Sequence, residues 1–247
     1  MKKKNTPQGT FKKEFDKDAW KPRTELGKRV KAGEIKSIKE ILDNGGNILE
    51  AEIVDYLLPN LEIEMIDIGQ SKGKFGGGKR TIWRQTQKKT KEGNKPKFST
   101  MVIVGNKDGF IGIGRGKSKE TIPAREKATR QAKLSIRMIV RGSGSWEGDY
   151  GQNNSIPFKV LGKCGSTRIT LIPAPDGVGL CVEQQCVKLL KLAGIKDVYS
   201  KTNGKTKSKI NLMLACFDAL KKLSTMRIQE KYLKTGGIVE GSLQNGK

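Results

Sequence analysis

Between Phe98 and Ile136 the chain leaves itself few ways to fold. Phe98 to Val104 is a largely apolar run, Gly105 to Gly109 supplies turn residues, and Phe110 to Ile113 runs back, which predicts a β-hairpin. The spacing that follows predicts a helix over 119–136. Ala124, Ala128, Ala132 and Ile136 recur every four residues as an inward stripe, and Arg125, Lys127, Arg130, Lys133 and Arg137 are left largely outward. Pro123 falls in the first turn, where its missing N–H removes no helical hydrogen bond. Strands and an amphipathic helix sharing one core predict an α+β module.

The outward charge of that helix belongs to a larger pattern. The 247 residues carry 49 Lys plus Arg against 25 Asp plus Glu, a net charge of +24. Residues 1–69 hold 13 basic and 13 acidic side chains, residues 70–141 hold 20 and 4, and residues 142–247 hold 16 and 8. Two thirds of the excess therefore sits in the middle of the chain, concentrated against its own repulsion. A solvated face does not explain that concentration, whereas a polyanion with a phosphate backbone does. A membrane surface would call for an amphipathic helix with a large apolar face or a lipidation signal, and the sequence offers neither. The Lys-rich start continues into Asn5, Thr6, Pro7 and Gln8 instead of an apolar signal core, so a soluble, cytoplasmic chain is expected.

Around the central module the segments read as follows. Residues 1–23, with scattered Phe11, Phe15 and Trp20, show no period and predict a basic tail that orders on a partner. Residues 24–60 predict short helices: Thr24 caps Glu25 to Ala32, Ser37 caps Ile38 to Asp43, and Ile48 to Leu58 adds a turn or two before Pro59. The first domain is expected over 61–141, starting with an imperfect strand at Leu61, Ile63 and Met65. A Gly-rich joint holding Trp146 spans 142–155. A second α/β unit is expected over 156–223: strands Ile156 to Leu161 and Thr167 to Ile172 around a turn at Gly162 to Ser166, a rigid loop Pro173 to Gly179, helix Val182 to Leu192, strand Asp197 to Tyr199, and helix Lys207 to Leu223. Residues 224–247 are expected to form a polar, extended tail.

Several chemistries are excluded or disfavoured. With no histidine, His-based acid/base catalysis, Ser-His-Asp and Cys-His pairs, and His metal ligation are gone. Cys164, Cys181, Cys186 and Cys216 form no C-x-x-C spacing and read as reduced, packed thiols, with Cys181 and Cys186 the only residual metal pair. Gly112 to Ser118 (GIGRGKS) resembles a nucleotide loop, but a P-loop needs glycine where Ile111 stands, and a dinucleotide loop needs it where Lys117 stands. Small residues before a helix start, beside Arg115, Lys117 and Lys119, still suggest a seat for an RNA phosphate.

The candidate RNA surface combines the Gly-rich stretch 71–80 with the basic run after it: Lys72, Lys74, Lys79, Arg80, Arg84, Lys88, Lys89, Lys91, Lys95 and Lys97. Phe75 and Trp83 add faces for base or sugar stacking. Arg115, Lys117, Lys119, Lys127, Arg137 and Arg141 extend the surface. The acidic residues Glu50, Glu52, Asp55 and Glu62 suit a basic protein neighbour better than RNA.

An ordered set of segments resembles one family: the universal small-subunit ribosomal protein number five, the S-five family, in its archaeal and eukaryotic form. The set comprises Trp20-Lys-Pro-Arg-Thr-Glu-Leu-Gly27, Glu52-Ile-Val-Asp-Tyr-Leu-Leu-Pro59, Met101 through Glu120, Ile156-Pro-Phe-Lys-Val160, Gly165 through Pro175, Leu192 through Tyr199, and Ile210 through Leu220. The resemblance covers roughly 20–223. It implies a double-stranded-RNA-binding-like domain followed by the small α/β sandwich typical of the family, which carries a left-handed β-α-β crossover. It also implies a structural constituent of the small ribosomal subunit, bound to rRNA where mRNA enters, beside proteins of the S-three and S-four families, and influencing decoding accuracy. No cofactor and no catalysis are implied. Where archaeal-type relatives often carry cysteines, near Trp146, this chain has Ser143, Gly148 and Gly151. The Gly-rich stretch 71–80 looks longer than in many relatives, suggesting lineage-specific rRNA as its target. A freestanding double-stranded-RNA-binding regulator fits the first domain and the charge equally well; the second domain and the tails favour the ribosomal reading.

Overall fold

The computed structural model describes residues 20–70, 80–146, 153–226, 228–229 and 237–242. Three short helices open it: α1 (Glu25–Lys31), α2 (Ile38–Asp43) and α3 (Ala51–Leu57). The caps are those the sequence offers, with Thr24 Oγ1 accepting from the Gly27 amide and Ser37 Oγ from the Lys39 amide. An antiparallel layer follows, with β1 (Glu62–Met65), β2 (Arg84–Thr90), β3 (Gly93–Gly105), β4 (Phe110–Ser118), helix α4 (Thr121–Leu134), β5 (Arg137–Met138) and β6 (Val140–Arg141). The second layer runs β7 (Val160–Cys164), β8 (Thr167–Pro173), β9 (Leu180–Cys181), α5 (Gln184–Ala193), β10 (Val198–Asn203) and α6 (Lys209–Thr225). β11 (Val239–Glu240) then returns to pair with β6.

Strand β3, 13 residues long, organises the first sheet. One edge pairs with β2 over its first half and β1 over its second, while the other edge pairs with β4. Register separates the two faces. Thr100, Val102 and Val104 stand opposite Gly116, Gly114 and Gly112 on the face that α4 covers, and Met101 and Ile103 share the other face with Ile113. That second face packs with Leu189, Leu190 and Leu192 of α5 in one core. Burial on both faces explains why Met101 to Val104 is apolar at every position instead of alternating.

In the second sheet the order is β7-β8-β10-β9, antiparallel except for the parallel pair β9 and β10, which α5 connects. α6 lies on the face holding Gly162, Ile169 and Leu171. The units also join through backbone, with the Lys107 amide donating to Leu192 O at 2.9 Å and the Gly109 amide to Ala193 O at 3.2 Å.

Several expectations need correction. The strand expected over Phe110 to Ile113 continues to Ser118: a Cβ on Gly112, Gly114 or Gly116 would overlap backbone of Ala132, Ala128 or Ala124, so the glycines exist to let α4 lie against β4. Gly162, expected in a turn, is likewise within a strand and abuts Ala215 and Ala219 of α6. Ile156 precedes the strand it was expected to start and is buried in the core. Arg84–Thr90 and Leu180–Cys181, where no element was expected, are strands, and the helix expected from Val182 begins at Gln184. Neither terminal segment is wholly a tail. Trp20 is buried against Tyr56, with ring centroids 5.9 Å apart, and the Gly241 amide donates to Ile139 O at 3.1 Å.

Candidate nucleic-acid interface

Beyond the ends of β1 and the second unit, β2 and the first half of β3 continue as an exposed two-stranded ribbon. Its pairing sorts the charge. Arg84 faces Ser99, Thr86 faces Lys97, and Lys88 faces Lys95, all on one face, while Gln85, Gln87, Pro96 and Phe98 occupy the other with Lys89 and Asn94. On β4 the cationic face continues through Lys117, opposite Ser99, and Arg115, opposite Met101. One sheet face thus turns from the apolar core at Met101 and Ile113 into a stripe of Arg115, Lys117, Arg84, Lys97, Lys88 and Lys95.

Placing Lys88 directly across from Lys95, with Cβ atoms about 5 Å apart, is unfavourable for the isolated chain. The single acid of the ribbon, Glu92, takes Lys95 at 2.6 Å. Arg84, Lys88, Lys97, Arg115 and Lys117 have no ion-pair partner among the described residues and are exposed. At the junction of β4 and α4, Lys97, Lys117, Lys119 and Lys127 line a cleft of about 580 Å³ with Ser118, Glu120 and Pro123. Such an array attracts a polyanion and offers it several cations at once.

The remaining expected residues fall into three groups. Arg80, Lys89, Lys91 and Arg137 are exposed, and Trp83 is half-buried with its carbonyl accepting from Thr81 Oγ1. Lys72, Lys74, Phe75 and Lys79 lie outside the described residues. Arg141 is withdrawn from the surface: it is 4% exposed, and its guanidinium donates to Asp108 Oδ1 at 2.6 Å and Gly241 O at 3.0 Å. It ties the strand after α4 to the returning C-terminal segment.

Among the acids expected to meet a protein neighbour, Glu50 is buried instead. It accepts from the Trp20 indole at 3.3 Å and from the Arg23 and Thr24 amides at 2.9 and 2.5 Å. Burial raises its pKa, but these hydrogen bonds outweigh burial and hold the carboxyl below the usual carboxylate range. Asp55 is bound within the chain to Lys133 at 2.6 Å, and burial pushes its carboxyl up despite that partner. Lys133 therefore faces α3 instead of solvent. Glu62 pairs with Lys107 at 2.5 Å, which leaves Glu52 the one of the four with no such partner among the described residues.

Cys186 and Cys216 are buried together beside Met213, whose Sδ lies 3.8 Å from Cys186 Sγ; hydrogen bonding to Cys186 and burial push the Cys216 thiol well up. Cys181 is exposed at the far edge of the second sheet. Among the described residues no three His, Cys, Asp or Glu side chains gather as a metal site.

Residues 82–140, which hold the ribbon, the β3–β4 hairpin and α4, match the family model "Ribosomal protein S5, N-terminal domain", and residues 162–232 match "Ribosomal protein S5, C-terminal domain". The chain belongs to the S5 family of ribosomal proteins. It is 50% identical over 228 residues to the small ribosomal subunit protein uS5 of Nanoarchaeum equitans, covering 92% of this chain and 98% of that protein. The uS5 protein of Methanocaldococcus jannaschii is 45% identical over 227 residues, with 92% and 98% covered. That of Methanothermobacter thermautotrophicus is 45% identical over 224 residues, with 91% and 97% covered. These archaeal relatives make the chain an S5 protein of the archaeal type. The family is a structural, non-enzymatic kind of protein.

Proposed function

We propose that this S5 protein is a structural constituent of the small subunit of the cytoplasmic ribosome, holding rRNA on the basic stripe where mRNA enters and so supporting decoding accuracy. The observation that carries the RNA contact is the cross-strand placement of Lys88 and Lys95 within a stripe lacking enough acid to neutralise it. A free protein gains nothing from that repulsion, whereas a phosphate backbone relieves it and releases counterions. Arg84, Lys88, Lys95, Lys97, Arg115 and Lys117 position the backbone without reading bases. Lys119 and Lys127 add the cleft at the helix start, and the Gly-rich stretch with Lys72, Lys74, Phe75 and Lys79 continues the interface. Glu52 and Glu62 serve as the contact to a basic protein neighbour, with the S-three and S-four families as the expected partners.

Sedimentation of cell extract through a sucrose gradient tests the placement, with the protein expected in the small-subunit fraction. Recovery in free or mRNA-only fractions at physiological salt would support the freestanding regulator instead. Replacing Arg84, Lys88, Lys95 and Lys97 by Ser should weaken rRNA binding and flatten its salt dependence by about 0.7–0.9 log units per lost contact per decade of salt. An unchanged slope would move the interface elsewhere.

A further inference from the structure

Around Met101 to Val104 the first sheet is covered on both faces, whereas among the described residues the second is covered on one. Its register defines the open face in three cross-strand rows. Cys181, Tyr199 and Ile172 form the first, Lys201, Thr170 and Leu161 the second, and Asn203, Arg168 and Lys163 the third. The intervening rows, such as Ser200 with Leu171 and Val160, belong to the side that holds the core under α5 and α6. Tyr199 is 41% and Leu161 48% exposed, and Cys181, Lys163, Arg168, Lys201 and Asn203 are exposed as well.

The composition of this face selects its ligand. It holds Tyr199 and Ile172 in the first row, Lys201 and Leu161 at opposite sides of the second, and Arg168 and Lys163 in the third, with no carboxylate in any row. Lys163, Arg168 and Lys201 have no ion-pair partner among the described residues, although other lysines nearby do, such as Lys209 with Glu183 and Lys222 with Asp218. Strand spacing makes the platform about 10–14 Å across four strands and about 14 Å along three rows, enough for two or three nucleotides. A ring for stacking with cations one and two rows away is the arrangement that holds unpaired bases and their phosphates. The core of a protein–protein contact is instead depleted in charge, and here the charge fills a third of the face.

We infer that the open face of the β7-β8-β10-β9 sheet is a second RNA-binding surface, specific for a single-stranded segment. Tyr199 stacks a base, with Ile172 across from it and Leu161 beyond Ile172 on the outer strand, and Lys201, Arg168 and Lys163 hold the adjoining phosphates. Thr170 and Asn203 offer hydrogen bonds to base or sugar. The inference rests on the RNA-binding reading of the chain, but it concerns a face far from the ribbon in sequence and different in ligand preference.

The full-length protein is titrated into a fluorescein-labelled oligouridylate of about a dozen nucleotides and, separately, into a short RNA duplex. Tyr199→Ala should weaken oligouridylate binding about tenfold, and Tyr199→Phe should retain it. Lys163→Ser, Arg168→Ser and Lys201→Ser together should lower its salt slope by about 2. Saturating oligouridylate should also protect Cys181 from maleimide in a Cys164→Ser background. The thermal transition of each variant shows that it is folded, since the changed side chains are exposed. Wild-type binding by both sets of face variants, with Cys181 equally reactive, overturns the inference. So does reduced incorporation into the small subunit with oligouridylate binding unchanged, which would assign the face to a protein neighbour. If the ribbon variant alone loses RNA, the ribbon reading stands and this one fails; if the face variants alone lose it, the reverse holds.

Discussion

The two helix-on-sheet layers solve one packing problem in different ways. In the first, three glycines of β4 meet three alanines of α4 row by row, so helix and strand backbones touch. In the second, Gly162 alone among the described residues opens such a contact, and Leu212, Met213, Leu220 and Leu223 fill the rest of the layer under α6. Close backbone approach needs few large side chains from the helix, which frees the outer positions of α4 for Lys127 and Arg130. Side-chain packing has more freedom to adjust when one residue changes. The difference teaches that glycines can be the tightest points of a core.

The largest loss of stability is expected for Gly114→Ala. Its new Cβ would meet backbone of both Ala128 and Ala132, and neither can rotate away. A loss of about 3 kcal/mol or more is expected by chemical denaturation. Gly162→Ala should cost less, about 2 kcal/mol, because α6 can shift on its bulkier side chains. Equal losses would show that the two layers are equally rigid.

Glu50→Gln should cost about 1–3 kcal/mol at neutral pH, since it removes the charge from one buried and two partly buried hydrogen bonds. The folded-state pKa of Glu50 is depressed, so its ionised form contributes stability that is fully present above the unfolded-state pKa and is lost as pH falls through the folded-state value. The difference between wild type and variant should therefore shrink with acidification over that range. A difference independent of pH would mean that shape, not charge, is what Glu50 supplies.

The smallest effect should have opposite signs in two assays. Lys88→Glu places an acid across from Lys95 and should stabilise the free chain by a few tenths of a kcal/mol. The same change should weaken rRNA binding, because a cation of the stripe becomes an anion. Loss of stability would show that the ribbon's cations are held by contacts within the chain.

Much of the fold was legible because the signals are local. The alanine spacing of α4, the hairpin after Phe98, and the caps Thr24 and Ser37 are all read from neighbouring residues. β2 was not, because Arg84 to Thr90 is polar at every position and has no apolar alternation; it is a strand because β3 pairs with it. The glycines at 112, 114 and 116 did carry a signal, a period of two that complements the alanine period of four, but their likeness to a phosphate loop obscured it. For the candidate interface, the charge concentration pointed to the right stretch and the pairing then sorted it into faces. Arg141 and Glu50 looked like surface charges because their partners, Asp108 and Gly241 in one case and Trp20 to Thr24 in the other, are distant in sequence.

By itself the sequence determined the periods of the helices and the central hairpin, the absence of histidine chemistry, the location of the excess charge and, through its ordered segments, the family. Those follow from side-chain type and spacing within single elements, where geometry repeats every two or 3.6 residues. Tertiary contacts alone set which charges are buried, the passage of one β3 face from core to cationic stripe, and the face of the second sheet that the described residues leave open. Whether a face or an edge is covered depends on segments arriving from far along the chain, as α5 does on the face of β3 and β11 on the edge of β6, and no local spacing encodes that arrival.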